Sequence, residues 1–470
     1  MRHPALLALA LALLVLFAAP TLAAPPPDTV TVEEYVAGRS QLVAMAFAPD
    51  GRLFYTEKGG FVTANASPRV MTLSGEPGAV SAVTWLQLTG VDARAERGLL
   101  GIALDPEFQT NGYVYIFYTN AASPRANRVV RYTEQRTGSG AGTADPSSAL
   151  ILMEVPISDT IDATHQNHNG GNIHFGPDGY LYVTHGELGK YPAWAQDLTV
   201  PFDPGRDRPI ENSAAPGKIH RMDVRAPYRA EPNAARAPTD NPFYDDGNPL
   251  VGNDDRVWTY GHRNSFDFTF DRYDPPGATT PSNYLFATEN GPECNDEVIR
   301  VVKGYNYRWP LDYDCPNGTP PQAATGPNPG DPPIPTLAYY TPPVALSGIS
   351  LYTGNIQEWE GDLFFCSSRT GALYHAELNA GRTAFAAAPE VVELPDGAGC
   401  SRSLLTGPDG ALYFATNAAI YRARLTDPLG EPTALTVGPL RAADRAPAWL
   451  AWGLLLGTAL AFGLHRRPRR

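Results

Sequence analysis

Six segments of the chain share one pattern of apolar and polar positions. Each begins with a short apolar run, passes through a turn rich in Pro, Asp and Gly, and ends in a run where apolar and polar residues alternate. The six segments are residues 45–56, 101–119, 173–187, 266–291, 349–368 and 404–417. Proline presets φ in such turns, glycine accepts positive φ, and alternation is the burial period of a strand. Each segment is therefore predicted to be a β-hairpin.

The repetition also predicts the architecture. Six similar hairpins separated by tens of residues are typical of a six-bladed β-propeller with one hairpin in each blade. A β-sandwich fits such a repeat poorly. We expect one all-β propeller domain over residues 30–428. The extra chain length is expected in loops between blades, on the face where ligands usually bind.

Both ends of the chain carry long apolar runs. Residues 1–24 have a basic start, an apolar stretch and small residues before Pro25, which predicts a secretory signal peptide. After a linker at 429–445, residues 446–464 contain no charge and precede a basic tail at 465–470. As a helix they would span about 28 Å, enough for a transmembrane anchor with the propeller outside. A packed C-terminal helix and a cleaved sorting signal are the alternatives.

Composition narrows the classes of partner. The chain has 36 Lys and Arg against 49 Asp and Glu, a formal net charge of −13. Nucleic-acid binding needs a basic surface, so we expect no nucleic-acid partner. An acidic exported protein often binds cations, although solubility alone would also explain the charge.

Four cysteines are compatible with disulfides in an exported protein. They allow three pairings, of which Cys294–Cys315 with Cys366–Cys400 closes the shortest loops. None has the CxxC spacing of a structural zinc site.

A polar, Gly-rich segment at 165–172 directly precedes the third hairpin. A histidine there is expected at a junction of loop and strand with its ring over the channel, where it can act as a general base near neutral pH. His165 and His168 with His174 and His185 are also a candidate metal cluster. A structural role is the third interpretation.

A loop with clustered carboxylates, ENGPECNDE, ends the fourth hairpin. Carbonyl groups at Gly291 and Pro292 and a carboxylate such as Glu297 are hard oxygen ligands, which suit Ca²⁺ better than a transition metal. A solvated acidic turn is the competing interpretation.

A third candidate is the turn YGHRN, which contains Arg263. If the turn faces the channel, this guanidinium can bind a carboxylate through two parallel hydrogen bonds. An arginine at a strand end is more often part of a surface ion pair.

Taken in order, these segments resemble the soluble PQQ-dependent sugar dehydrogenases of the glucose/sorbosone dehydrogenase family. The resemblance covers about residues 35–425. It rests on ERGLLGIALDPEF (96–108), HNGGNIHFGPDGYLYV (168–183), YGHRN (260–264), ENGPECNDEV (289–298) and GYNYRWP (304–310). It implies a six-bladed propeller with PQQ and Ca²⁺ in its channel. The implied function is oxidation of an aldose sugar to its lactone by hydride transfer to the quinone, with an unidentified electron acceptor.

The resemblance also implies roles for single residues. His168 matches the family's catalytic base, which takes the proton of the sugar hydroxyl. Arg263 and Asn264 match a pair that holds cofactor oxygens, and Arg263 would also stabilise charge developing on the quinone. The positions that match the calcium loop are Gly291, Pro292, Asp296 and Glu297.

The sequence departs from the family pattern at several of these positions. Glu187 stands where the family usually has Asp, and we expect it to hold the catalytic ring or the substrate. Glu96 replaces a cofactor-contacting Gln, and Arg369 replaces a cofactor-binding Lys. Of two arginines that open the last blade only Arg402 remains, because Cys400 takes the other place. PQQ is a tricarboxylate, so losing a cation and gaining Glu96 should weaken its binding.

Two other functions stay open at this stage. The first is a Ca²⁺-dependent lactonase, which would not need three arginines converging on an anionic cofactor. The second is a non-catalytic propeller that binds a ligand or partner. Loss of the PQQ-binding residues with retention of the calcium loop would favour that second function.

Overall fold

Six four-stranded antiparallel sheets form the fold, and the predicted six-bladed β-propeller is confirmed. Blade 1 consists of β2 (Leu42–Phe47), β3 (Leu53–Glu57), β4 (Arg69–Ser74) and β5 (Ser81–Gln87). Blade 2 consists of β6 (Leu99–Leu104), β7 (Tyr113–Asn120), β8 (Ala126–Gln135) and β9 (Thr143–Pro156). Blade 3 consists of β10 (Ile173–Phe175), β11 (Leu181–His185), β15 (Lys218–Met222) and β17 (Val257–Tyr260). Blade 4 consists of β18 (Ser265–Phe270), β19 (Leu285–Glu289), β20 (Asp296–Val301) and β21 (Ala338–Tyr340). Blade 5 consists of β22 (Leu346–Leu351), β23 (Leu363–Ser367), β24 (Leu373–Ala376) and β25 (Glu390–Val391). Blade 6 consists of β26 (Leu404–Thr406), β27 (Leu412–Ala415), β28 (Ile420–Leu425) and β1 (Val30–Val36). The first strands of the blades contact one another in a closed ring and surround the channel.

A few short elements lie outside the blades. They are the helix α1 (Phe108–Asn111), the 3₁₀ turns Pro192–Gln196 and Gln357–Trp359, and the strands β12 (Thr199–Val200), β13 (Phe202–Asp203), β14 (Arg208–Pro209) and β16 (Gly252–Asn253). The four strands form two small sheets, β12 with β16 and β13 with β14.

The ring is closed by pairing the start of the domain with its end. β1 is the outer strand of blade 6, antiparallel to β28, with Val30 opposite Leu425. Glu33 of β1 accepts hydrogen bonds at 2.6 Å from both Arg422 and Arg424 of β28. Burial raises the pKa of Glu33, but these arginines outweigh burial and lower it. The closing pair is thus held by charge as well as by backbone hydrogen bonds.

The hydrophobic core lies between neighbouring blades. Successive residues of a strand point to opposite faces of its sheet. Phe54 packs with residues of blade 2, whereas the next residue, Tyr55, packs with residues of blade 6. Phe364 and Phe365 divide in the same way between blades 6 and 4. Both faces of these inner strands are therefore buried, although the sequence pattern predicted alternating apolar and polar positions.

Bulges in the innermost strands shape one end of the channel. The register shifts by one residue near the start of β2, β6, β18 and β22. A bulge redirects a side chain and ends regular pairing. Val43, Leu100, Phe266 and Leu346 lie at these irregularities, and all four line the same cavity.

The computed structural model describes residues 26–27, 29–123, 125–136, 142–157, 166–189, 192–200, 202–203, 208–209, 215–225, 233–247, 252–273, 284–311, 315 and 320–426. The predicted signal peptide, linker, transmembrane helix and basic tail (1–24, 429–445, 446–464 and 465–470) lie outside these ranges. Within the ranges, no helix has the length and apolarity needed to span a bilayer.

Candidate active site

A cavity of about 340 Å³ lies at this end of the channel, and every blade contributes to its wall. Nine of the eleven residues singled out from the sequence line it. They are Glu96, His168, Arg263, Asn264, Gly291, Pro292, Asp296, Arg369 and Arg402. The other two, Glu187 and Glu297, lie outside the lining. The loops that carry these residues are far apart in sequence, and the ring of blades brings them together.

His168 is held in an uncommon backbone conformation at the cavity wall. Its φ is 57°, which is rare for a residue other than glycine and is maintained only where the surroundings compensate its cost. Its N–H donates to Oε2 of Glu96 at 2.6 Å, and its carbonyl accepts from Leu188 at 3.1 Å. Gly170 and Gly171 follow with positive φ, and a Cβ on Gly171 would lie 2.6 Å from the Phe117 ring. Gly171 lets this loop pack closely against blade 2, and Gly170 lets it pack against the end of β11 in its own blade.

The imidazole of His168 is paired with Glu187. Nδ1 is hydrogen-bonded to Oε1 of Glu187, and the Glu187 side chain is only 1% exposed. The N–H of Glu187 donates to the carbonyl of Arg263 at 2.9 Å, which ties blade 3 to blade 4. Because Nδ1 is occupied, Nε2 is the ring nitrogen left for a ligand. A histidine oriented by a buried carboxylate is suited to act as a general base.

The four-histidine metal cluster is not formed by the described residues. His174 is hydrogen-bonded through Nε2 to Asp267 at 2.8 Å. His185 is fully buried and bonds the carbonyl of Gly186 through Nδ1, and burial lowers its pKa to about 4. His165 lies outside the described residues. The three described histidines are thus engaged with three different partners.

Arg263 and Asn264 are positioned by Glu289, a residue that sequence analysis did not assign. Glu289 accepts the N–H of Arg263 at 3.0 Å and the N–H of Asn264 at 2.5 Å. Burial raises the pKa of Glu289, but hydrogen bonds led by that of His262 outweigh burial and lower it, so the group is held as a carboxylate. Its motif, ENGP, was visible in the sequence, but its distance of about 25 residues from the turn gives no local signal of contact.

The guanidinium of Arg263 projects into a mainly acidic surrounding. Nη1 donates to the carbonyl of Asn290 at 2.8 Å, and the group lies over the ring of Trp309. Burial lowers the pKa of Arg263, although carboxylates led by Glu187 and Glu289 favour its charged form. Within the described structure Arg263 makes no ion pair, so an anionic ligand would add charge pairing that it lacks.

The predicted calcium loop presents oxygen atoms to the cavity. Asp296 accepts the N–H of Gly291 at 3.0 Å and the N–H of Ala345 at 2.6 Å. Burial raises the pKa of Asp296 despite these donors. No described cation pairs with this buried carboxylate. A hard divalent cation held by Asp296 and nearby carbonyl groups, such as those of Gly291 and Pro292, would relieve that cost, so the residues fit Ca²⁺.

The structure does not bring Glu297 to this cavity. Asp296 and Glu297 are consecutive in β20, so their side chains point to opposite faces of the strand. The Glu297 carboxylate accepts a hydrogen bond from Thr336 at 2.6 Å. Strand geometry therefore separates two carboxylates that the motif had grouped together.

Positive charge also lines this cavity. Arg369 and Arg402 come from blades 5 and 6, and Lys58, which sequence analysis missed, comes from blade 1. None of the three forms an ion pair with a described residue. With Arg263 they give four cations in one cavity, a donor set that fits a ligand with several carboxylates.

Both predicted disulfides are confirmed. Cys294 pairs with Cys315, and Cys366 pairs with Cys400. The second bond joins blade 5 to blade 6 next to Arg402. The cysteine that replaces a family arginine thus takes a structural role beside the arginine that remains.

Known proteins resemble this chain in sequence and in fold. Quinoprotein glucose dehydrogenase B of Acinetobacter calcoaceticus is 28% identical over 276 residues, covering 57% of this chain and 49% of that protein. The aldose sugar dehydrogenase of Escherichia coli K12 is 25% identical over 406 residues, covering 83% and 91%. A solved structure from Thermus thermophilus, described as a putative oxidoreductase (glucose dehydrogenase), matches with a TM-score of 0.60 and 28% identity, covering 84% of this chain and 100% of that one. The profile described as glucose/sorbosone dehydrogenase matches residues 40–422, and the chain therefore belongs to the glucose/sorbosone dehydrogenase family.

Proposed function

We propose that this protein is an exported oxidoreductase that uses PQQ and Ca²⁺ to oxidise an aldose sugar to its lactone. One observation carries the proposal: a carboxylate-oriented histidine, a buried carboxylate and four cations line the same cavity. The sugar and the quinone are supported by the named relatives. Export and anchoring in the membrane rest on the apolar runs at 1–24 and 446–464.

The residues that line the cavity fit both groups, and a different set would hold each of them. Arg263, Arg369 and Arg402 would bind the carboxylates and carbonyl oxygens of PQQ, and Asn264 would add a neutral donor. Asp296 would hold Ca²⁺ together with carbonyl groups of the 291–292 turn. When bound, PQQ supplies the acceptor for hydride and Ca²⁺ polarises it.

The chain itself supplies the base. Oxidation at the anomeric carbon removes a hydride from carbon and a proton from the hydroxyl group. Nε2 of His168 would take that proton, and Glu187 would keep the ring oriented and stabilise its positive charge. Glu96 fixes the backbone of His168, so it acts as a positioning residue as well as a cavity carboxylate. The guanidinium of Arg263 would stabilise negative charge developing at the cofactor.

The cation set distinguishes this function from its alternatives. A Ca²⁺-dependent lactonase needs a metal and a base, but it does not need four cations in the cavity. A non-catalytic propeller needs no oriented histidine. The pairing of His168 with Glu187 and the retained positive wall therefore favour the dehydrogenase.

The test uses the purified full-length chain with added PQQ, Ca²⁺ and a panel of aldoses. We expect sugar-dependent reduction of an artificial electron-acceptor dye that requires both PQQ and Ca²⁺. Lactone hydrolysis without PQQ would instead identify a lactonase. Absence of PQQ binding by calorimetry would leave the non-catalytic propeller as the better account.

A further inference from the structure

Lys58 lines the cavity with an ammonium group that is held in place but not charge-neutralised. Its side chain lies just after β3, and the residue is only 5% exposed. Nζ donates to the carbonyl groups of Gly60 at 2.5 Å and Ala93 at 2.8 Å. Nζ also lies 4.5 Å from the centroid of the Phe61 ring. An ammonium group has three N–H donors, so one makes no hydrogen bond within the described structure.

The carboxylates that act on Lys58 are engaged elsewhere. Asp92 and Glu96 are the two acidic groups whose charge favours protonated Lys58. Asp92 already binds three arginines at 2.8 to 3.1 Å. Glu96 accepts the N–H of His168. Within the described structure, Lys58 therefore has no carboxylate of its own.

A short chain of contacts brings Lys58 close to Arg402 across the closure between blades 1 and 6. The N–H of Lys58 donates to the carbonyl of Gln41 at 3.1 Å. The next residue, Leu42, donates its N–H to the carbonyl of Asn417 at 3.1 Å. The side chain of Asn417 in turn accepts a hydrogen bond from Nε of Arg402. Both cations face the same cavity, one from each blade.

Two desolvated like charges are unfavourable in the free protein. Burial and the charge of Arg402 lower the pKa of Lys58 to about 8, and burial also lowers the pKa of Arg402. An anion bound by both groups would remove this repulsion and form charge-assisted hydrogen bonds. Sites with unbalanced buried charge are typical of ligand binding.

We propose that Lys58 is a cofactor-binding residue, and that its ammonium group and the guanidinium of Arg402 hold one carboxylate of PQQ. This inference rests on the proposed function. Lys58 then supplies from blade 1 a positive charge in place of the one that Cys400 removes from blade 6. The number of positive side chains at the cofactor site would then be kept, with one of them contributed by a different blade.

The test measures PQQ affinity by calorimetry on the full-length apoprotein at saturating Ca²⁺. Lys58→Met keeps the unbranched side chain up to the position of Cε and removes its charge, and Lys58→Arg keeps the charge. Lys303→Met is the matched control, because Lys303 is exposed and its Nζ bonds the carbonyl of Asp240. We expect about 10- to 100-fold weaker binding for Lys58→Met, the size of one charge-assisted hydrogen bond. The PQQ affinity of Lys58→Met should also depend less steeply on salt concentration than that of wild type. Lys58→Arg should recover most of the affinity, and Lys303→Met should match wild type.

Three results would overturn the inference. If wild type binds PQQ and Lys58→Met binds equally well, Lys58 is not a ligand, while the proposed function stands. If wild type binds no PQQ, the proposed function fails and this inference fails with it. If Lys58→Arg is as weak as Lys58→Met while Ca²⁺ raises the melting temperature of both variants as in wild type, the charge is not the cause. Lys58→Gln serves the same comparison should Lys58→Met not fold.

Discussion

Nδ1 of His168 is hydrogen-bonded to a carboxylate oxygen of Glu187, whose other oxygen, Oε2, is buried and has no hydrogen-bond partner among the described residues. A carboxylate acceptor places the ring proton on Nδ1 and leaves the lone pair on Nε2. No competing donor within the described structure weakens this pairing. Glu187 is therefore a positioning residue, and His168 is the group that would touch the substrate.

His168→Gln should lower kcat by about 10² or more, because general-base catalysis contributes that much. PQQ affinity should be nearly unchanged, since the imidazole is not one of the cavity cations. Steady-state dye reduction and calorimetry measure the two effects. His174→Gln is the control, because His174 bonds Asp267 and does not line the cavity. Equal turnover of His168→Gln and wild type would show that the base is elsewhere.

Arg263→Ala should weaken PQQ binding and lower turnover together. The guanidinium lies beside the cavity carboxylates and makes no ion pair in the described structure, so its loss removes a charge-assisted contact to the cofactor. Arg263→Lys should recover only part of the affinity, because an ammonium group cannot make two parallel hydrogen bonds to one carboxylate. A kcat loss with unchanged PQQ affinity in the alanine variant would contradict this role.

Asp296→Asn should abolish the calcium dependence of PQQ binding. Its carboxylate lies at the cavity, and the amide that replaces it carries no charge for a divalent cation. Glu297→Gln is the comparison, because the Glu297 carboxylate bonds Thr336 away from the cavity and its loss should preserve that dependence. Calcium titration of PQQ affinity distinguishes them. If Glu297→Gln alone loses the dependence, the sequence-based assignment of Glu297 describes the cavity better than the strand geometry does.

The Cys366–Cys400 disulfide should stabilise the propeller and sharpen its cofactor site. The bond closes a loop with a sequence separation of 34, for which chain entropy predicts about 2–4 kcal/mol. Replacing both cysteines with Ala should lower the free energy of unfolding by that order and weaken PQQ binding several-fold through Arg402. Urea unfolding and calorimetry test the two parts. An unchanged urea midpoint would mean that the disulfide does not stabilise the folded state.

The free protein should become more stable as the pH rises from about 8 to about 10.5, because the buried ammonium group of Lys58 loses its charge in this range. Its folded-state pKa, about 8, lies below the ordinary 10.5, so the folded state releases the proton before the unfolded chain does. The groups that act on it are Arg402, Asp92 and Glu96. Across this range wild type should gain free energy of unfolding relative to Lys58→Met, and below pH 8 the difference should be constant. A difference that does not change with pH would place the Lys58 pKa at its ordinary value.

The blades were predictable because their signals are local. Each inner hairpin contains its own turn, so its Pro, Asp and Gly residues indicate it without knowledge of the rest of the chain. The pairing of Val30 with Leu425 has no such signal, since the partners are nearly four hundred residues apart. For the same reason β1 was not assigned to blade 6 from sequence.

The candidate site was predicted where a motif carries its residues and missed where only the ring brings them together. His168 and Arg263 stand in recognisable motifs. Lys58 follows an ordinary strand, and only the contact between blades 1 and 6 places it near Arg402. Motif matching also grouped Asp296 with Glu297, although adjacent strand residues point to opposite faces.

The pairing of β1 with β28 also has a consequence for when the molecule can form. The first strand of the domain has no permanent partner until residues 420–425 have been synthesised. During synthesis the blades of the growing chain therefore cannot yet form a closed ring, and the cavity to which all six blades contribute does not yet exist. Contacts between such distant residues form late and slowly. A polypeptide whose ring stays open until its last blade is made is competent to be threaded unfolded through a translocation pore, which is what the proposed export would require, and its binding site would form only after that step.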